Sequence, residues 1–222
     1  MKQDISKLSE EDFFHYLLIE TEKAYQLSDV MKSKPKWAYS VCGRPIVKRQ
    51  GLILGLNWGG EHNKEYQPQN KYPTDEDVSG YSYIKKLAPF LKEHLNVEDV
   101  KNINYSNICF FRSPKVQDLS NNDWDVSKRL ISDFVSYVDP SWILFTSSNI
   151  GKAKDILKLE DPILHFKAGT IRVYHAYKTV SILSEKRVPF YSLPHPNARI
   201  KGKVRKMLWD DVLPIKSSFN GK

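Results

Sequence analysis

The sequence predicts an α/β protein: a three-layer α/β/α sandwich with a mostly parallel, four-stranded central sheet. Three observations predict it. Four short runs, 51–57 (GLILGLN), 103–111 (INYSNICFF), 142–145 (WILF) and 188–193 (VPFYSL), are wholly or largely apolar and read as buried strands. Segments with a helical spacing of apolar residues lie between them, and such alternation implies parallel strands with helices on both faces. The chain of 222 residues is 41% hydrophobic and 12% aromatic, enough to fill one core, which excludes whole-chain disorder.

The elements follow in order. Ser9 with Glu10, Glu11 and Asp12 marks a helix start, because a hydroxyl caps free amides and acids suit the positive end of the helix. Phe13, Phe14, Tyr16, Leu17, Leu18, Ala24 and Tyr25 continue that helix on a stripe of roughly helical period, and it should end near Lys32 to Pro35. The strand at 51–57 runs into a polar stretch, Trp58 to Gly80, long for a loop without an element of its own. A helix over 81–95 follows, with Pro89 expected to kink or shorten it. After the strand at 103–111, Asp123 or Asp125 should start a helix that Asp139-Pro140 stops. Ser148 or Asn149 should cap a helix through Leu157, after the strand at 142–145. Residues 170–183 read as a hairpin or two short strands. A last helix carries Val204, Met207, Leu208, Trp209 and Val212, with Pro214 closing it. Without repeats or Gly/Ser linkers, residues 1–222 are expected to form one domain, with 1–44 as an N-terminal helical extension packed on it.

Charge and cysteine bound the function. Lys and Arg outnumber Asp and Glu by 34 to 26, so a formal charge of +8 points towards a polyanionic partner. Cys42 and Cys109 are too few for a disulfide framework, an all-cysteine zinc site or a four-cysteine iron–sulfur cluster. No apolar run approaches the ~20 residues of a membrane span. The opening MKQDISKLSEED lacks the apolar core of an export signal, so the cytoplasm is the expected compartment. Nothing implies an obligate oligomer, and a monomer is expected.

Ligands of open parallel sheets sit beyond the carboxyl ends of the strands. Three predicted strand ends are unusually polar: Asn57-Trp58-Gly59-Gly60, Asn107 with Arg112-Ser113-Pro114, and His195-Pro196-Asn197-Ala198-Arg199. They should converge on one crevice. No GxGxxG or GxxxxGK[ST] phosphate loop follows any strand, which argues against a small-molecule nucleotide enzyme.

These ends carry a family resemblance over about residues 45–215. Gly55-Leu56-Asn57-Trp58-Gly59-Gly60 resembles the first motif of the uracil-DNA glycosylase superfamily, in the G-x-N-P-G form of its mismatch-specific and single-strand-selective branches. His195-Pro196-Asn197-Ala198-Arg199 resembles the second motif, H-P-S-P-[LR], and the segment from Asn107 to Pro114 resembles the strand whose Asn reads the base. Trp58 stands where the family has Pro, Asn197 and Ala198 replace its Ser and second Pro, and no Asp occupies the water-activating position of the most active branch.

The resemblance implies a monofunctional glycosylase that removes uracil or another deaminated or damaged base from single- or double-stranded DNA, with no metal or cofactor. Asn57 would hold the attacking water and His195 would donate to the base carbonyl as negative charge develops there. Asn57 equally suits a left-handed turn position, and His195 between prolines suits a plain turn. Glu61 is the nearest candidate for the missing carboxylate. Asn107 would pair with the edge of a flipped base, and Trp58, Tyr66 or Tyr72 would stack on it. Arg199 takes the place of the family's duplex wedge. Lys201, Lys203, Arg205 and Lys206 follow it, five cations in eight residues, and with Arg112 and Ser113 they are the expected DNA contacts. The alternative is a nucleic-acid-binding module of the same fold whose catalysis is weakened by the departures at Trp58, Asn197 and Ala198.

Overall fold

The computed structural model describes residues 4–74, 82–170, 172–183 and 186–213. The chain is an α/β protein, and its described residues build one sheet of six strands: β1 (Leu52–Gly59), β2 (Asn104–Ser113), β3 (Ile143–Phe145), β4 (Leu164–Ala168), β5 (Tyr174–Leu183) and β6 (Lys186–Ser192). Their order is β2-β1-β3-β6-β5-β4. The first four in that order run parallel, while β5 and β4 extend the edge antiparallel. The expectation of four strands therefore holds for the parallel part and misses the edge. There, 174–183 is one long strand in a hairpin with β6, and 164–168 pairs outside it. Polar residues interleave along YHAYKTVSIL, and Leu164 is exposed, so these half-buried strands lack the apolar runs that mark the central ones.

Side chains alternate across each strand, and this separates two cores. Leu52 and Leu54 of β1, Ile143 and Phe145 of β3, and Phe110 of β2 join one core with α1 (Glu10–Leu27) and α3 (Asn121–Val138). Ile53 of β1 and Leu144 of β3 face the other, against α2 (Ser82–Leu95) and α5 (Gly202–Val212). Helix α1 belongs to the first core: Phe13, Phe14 and Leu17 are fully buried, and Phe13 stacks on Tyr137 of α3 at 3.7 Å between centroids.

Helix boundaries follow capping chemistry. Ser9 accepts the Asp12 N–H and opens α1, as expected, but the helix ends at Leu27 and only a short 3₁₀ turn, Val30–Lys32, follows. The α3 cap is Ser120, with Asp123 completing a capping box. Asp123 is fully buried and also accepts the amides of Asp29 and Val30, so its carboxylate ties the end of α1 to the start of α3. Helix α2 continues through Pro89. The short α4 (Gly151–Ile156) has no side-chain cap; Ser148 instead donates to the His175 carbonyl, which fastens the end of β3 to β5. Pro214, the expected stop of α5, lies outside the described residues.

The polar stretch after β1 is pinned as far as Thr74. Gln69 accepts the amides of Val41 and Cys42 and donates to the Cys42 carbonyl, substituting for a strand partner. The remainder of that stretch, 75–80, lies outside the described residues. Cys42 and Cys109 are both buried free thiols, and burial pushes each up to about 12, so neither is a ready nucleophile. Among the described residues no helix is long and apolar enough to cross a membrane.

Candidate active site

The carboxyl ends of β1, β2, β3 and β6 surround a cavity of about 540 Å³, within the size range of small-molecule sites. Strand order reverses between β1 and β3, so the flanking loops leave in opposite directions and open a crevice there. Asn57 and Trp58 reach the cavity from β1, Asn107 and Arg112 from β2, and His195 and Asn197 from the loop after β6. The three polar strand ends thus meet.

Gly55 lies opposite Asn107 in the β1–β2 register. A Cβ on Gly55 would sit 2.1 Å from Asn107 Oδ1, so the bare glycine is what lets the amide lie across β1. Asn107 is 1% exposed, and its Nδ2 has no hydrogen-bond partner among the described residues. A buried amide donor left open is costly, by about 1–3 kcal/mol, unless something in the cavity accepts from it.

Asn57 sits at a bulge in the β1–β2 register, where one strand gains residues and re-aims its side chains. Its Nδ2 donates to Ser113 Oγ at 2.8 Å and to the carbonyls of Trp58 and Ser113. The amide donors are therefore spent. Oδ1 has no hydrogen-bond partner among the described residues and is the group left to act as an acceptor. Ser113, itself fully buried, donates to the Lys115 carbonyl. It positions Asn57 and presents no surface for a phosphate.

His195 Nδ1 accepts the backbone N–H of Asn197 at 3.1 Å. The neutral ring must then carry its proton on Nε2, which makes Nε2 a donor. His195 is exposed at the cavity rim, yet desolvation of its ring by the surrounding atoms first, then the positive charges of Arg205 and Lys86, lower the imidazole pKa and favour that neutral form. The loop itself is braced from both helices on its face of the sheet. Lys86 of α2 donates to Asn197 Oδ1 at 2.7 Å, and Arg205 of α5 donates to the carbonyls of Pro196 and Ala198. Tyr174 of β5 donates to the Arg199 carbonyl.

The aromatic candidates separate. Trp58 is buried and lines the cavity, edge-on to Tyr105 at 5.2 Å, and its Nε1 has no partner among the described residues. Tyr66 and Tyr72 do not line it. The Tyr66 hydroxyl accepts the Glu61 amide, and its ring stacks against Arg112, which also covers Trp58. The Tyr72 hydroxyl accepts the Ile46 amide, its ring packs edge-on to Phe14, and burial pushes its pKa up to about 12. Glu61 pairs with Lys64 in solvent, and among the described residues no carboxylate lines the cavity.

The cations separate too. Arg112 donates to the Gly59 carbonyl and Ser40 Oγ at the cavity wall. Arg205 holds the His195 loop, and Lys206 Nζ bonds Glu93 and Asp210. Arg199, Lys201 and Lys203 are exposed, with no side-chain partner among the described residues. Sequence reasoning missed Thr146, Ser147 and Tyr105, which also line the cavity. Thr146, directly after β3, donates to the Leu54 carbonyl through both its amide and hydroxyl. The signal for these residues is only their place just past WILF and two before Asn107.

No protein-family model matches this chain, and no curated protein matches it by sequence.

Proposed function

We propose that this protein is a monofunctional DNA glycosylase that hydrolyses the N-glycosidic bond of uracil or another deaminated or damaged base. The observation that carries the reading is the meeting of Asn57, Asn107 and His195 on one cavity into which the buried Asn107 amide brings a donor without a partner among the described residues. The motif resemblance of these strand ends to the uracil-DNA glycosylase superfamily also supports it. In this reading residues 1–222 act as one domain of that fold, working as a monomer in the cytoplasm.

A flipped base enters the cavity, and Asn107 supplies the donor that a pyrimidine carbonyl accepts. His195 Nε2–H donates to the base carbonyl on which negative charge grows. As the C1′–N bond breaks, its electron pair goes to the base and the sugar becomes oxocarbenium-like. A water held by Asn57 Oδ1 adds to C1′ and releases a proton to solvent. An amide is no strong base, and with no carboxylate among the described residues of the cavity wall the water is oriented and not deprotonated beforehand. The chemistry is accordingly dissociative and slow. Trp58 and Tyr105 give the base its apolar wall, while Arg199, Lys201 and Lys203 meet the DNA backbone.

The test is incubation with single- and double-stranded oligonucleotides carrying uracil, hypoxanthine, xanthine or hydroxymethyluracil, followed by hot alkali. Strand scission at the modified base is expected. DNA binding without scission on every substrate would instead favour a binding module, the reading that a cavity wall without a described carboxylate favours. No DNA binding at low salt would sink both.

A further inference from the structure

Away from this cavity, α2 and α5 bring Glu93, His94 and Asp210 together, with ligand atoms within 4.8 Å of one another. His94 Nδ1 lies 2.5 Å from the Leu213 carbonyl. A carbonyl can only accept, so Nδ1 carries the hydrogen and the Nε2 of a neutral ring keeps its lone pair. The His94 side chain is 0% exposed, and Nε2 has no hydrogen-bond partner among the described residues. Nε2 faces Asp210 Oδ1 at 3.6 Å and Glu93 Oε2 at 3.8 Å. A lone pair directed at two carboxylates repels them unless a proton or a metal cation stands between. Lys206 neutralises the two acids, at 2.9 and 3.1 Å, but its ammonium makes no bond to the imidazole.

We propose that Glu93, His94 and Asp210 form a binding site for a divalent transition-metal ion of the Zn²⁺ type, and that the metal displaces the Lys206 ammonium from the two carboxylates. One imidazole with two carboxylates suits zinc and its neighbours better than magnesium or calcium, which take oxygen ligands. The Leu213 carbonyl on the far nitrogen is the outer partner that holds a ligating imidazole in its tautomer. A metal here would staple α2 to α5, the two helices whose Lys86 and Arg205 brace the His195 loop. The site stands apart from base excision: none of its residues lines the catalytic cavity.

The test is calorimetric titration of the chelator-stripped full chain with Zn²⁺, with the visible spectrum of the Co²⁺ form as a second readout. It is done in a His175→Ala background, because His165 and His175 form an exposed pair on β4 and β5 that could bind metal itself. One Zn²⁺ per chain is expected. Glu93→Gln and Asp210→Asn, both at partly exposed positions, should each weaken binding about tenfold or more. Lys206→Met should tighten it, since the competing ammonium is gone. His94→Gln should abolish the Co²⁺ spectrum; should that variant not fold, the Asp210→Asn titration decides. Absence of saturable Zn²⁺ binding in both the folded His175→Ala protein and its Lys206→Met derivative would overturn the site. So would an affinity unchanged by Glu93→Gln and Asp210→Asn, or histidine resonances placing a proton on Nε2 of His94 that Zn²⁺ does not displace.

Discussion

His195 works through the partner at its other nitrogen. Because Nδ1 accepts the Asn197 amide, protonating the ring would set two N–H groups against each other and break the loop geometry. The lowered pKa states the same preference for the neutral ring. A depressed folded value means that the unfolded chain binds the proton first, so stability is full above about pH 6.5 and falls as pH drops through the lowered value. Acidification should therefore lower the melting temperature and, under the proposed glycosylase function, the rate of base excision, and His195→Ala should remove that pH-dependent part of the melting curve. At neutral pH the same substitution should slow excision about 100- to 1000-fold, the usual cost of deleting one donor to developing charge. A wild-type rate would mean that another group stabilises the leaving base. Gly55 offers a second test at this scale. In Gly55→Ala the new methyl must displace the Asn107 amide. Overpacking of this kind costs about 1–3 kcal/mol of stability. Excision should fall as far as in Asn107→Ala while circular dichroism reports an intact fold.

Among the elements, α5 shows how one basic stretch divides its labour. Arg205 turns inwards to the carbonyls of Pro196 and Ala198, Lys206 goes to two acids, and Arg199, Lys201 and Lys203 remain on the surface. The consequence is separable by assay. Neutralising Arg199, Lys201 and Lys203 should flatten the salt dependence of DNA binding, by about 0.9 in log–log slope for each phosphate that no longer meets a cation. Arg205→Met should leave that slope nearly unchanged but lower the excision rate on bound DNA, because the His195 loop loses its clamp. If Arg205→Met changes the slope as much as the surface set does, its guanidinium binds DNA after all. Helix starts teach a related point. Ser9 is legible as a cap because its acids follow at once. Ser120 is not, because Asp123 is as good a cap by residue type, although it is the third residue of the same capping box. Ser148 also looks like a cap by residue type, but a carbonyl on β5 claims its hydroxyl.

For the whole molecule, stability rests on two cores that share one sheet, and the cavity lies at the end of that sheet. Helix α1 completes the first core through α3, so Phe13→Ala should cost about 3–5 kcal/mol in denaturant unfolding, as large aromatic truncations do. Phe13 itself does not line the cavity, so under the proposed function excision per folded molecule should be unchanged. A loss under about 1 kcal/mol, well below that range, would make α1 a peripheral cover. Met207, apolar and in helical register, ends up exposed on α5, whereas the α/β class, the four central strands, most of the helix faces and the three polar strand ends are legible from the residues alone. Those features are written in local periodicity, which reports burial along a few consecutive residues. The remaining features came from contacts between distant segments of the folded chain. Those contacts joined β4 and β5 to the edge, where half-burial blurs the pattern. They chose Trp58 and Tyr105 over Tyr66 and Tyr72 as cavity aromatics, and gave Ser113, Arg205 and Lys206 protein partners in place of solvent. Each of those outcomes depends on which groups from distant parts of the chain come within hydrogen-bonding reach. Sheet register and helix packing set that reach, and neither is written in any one segment.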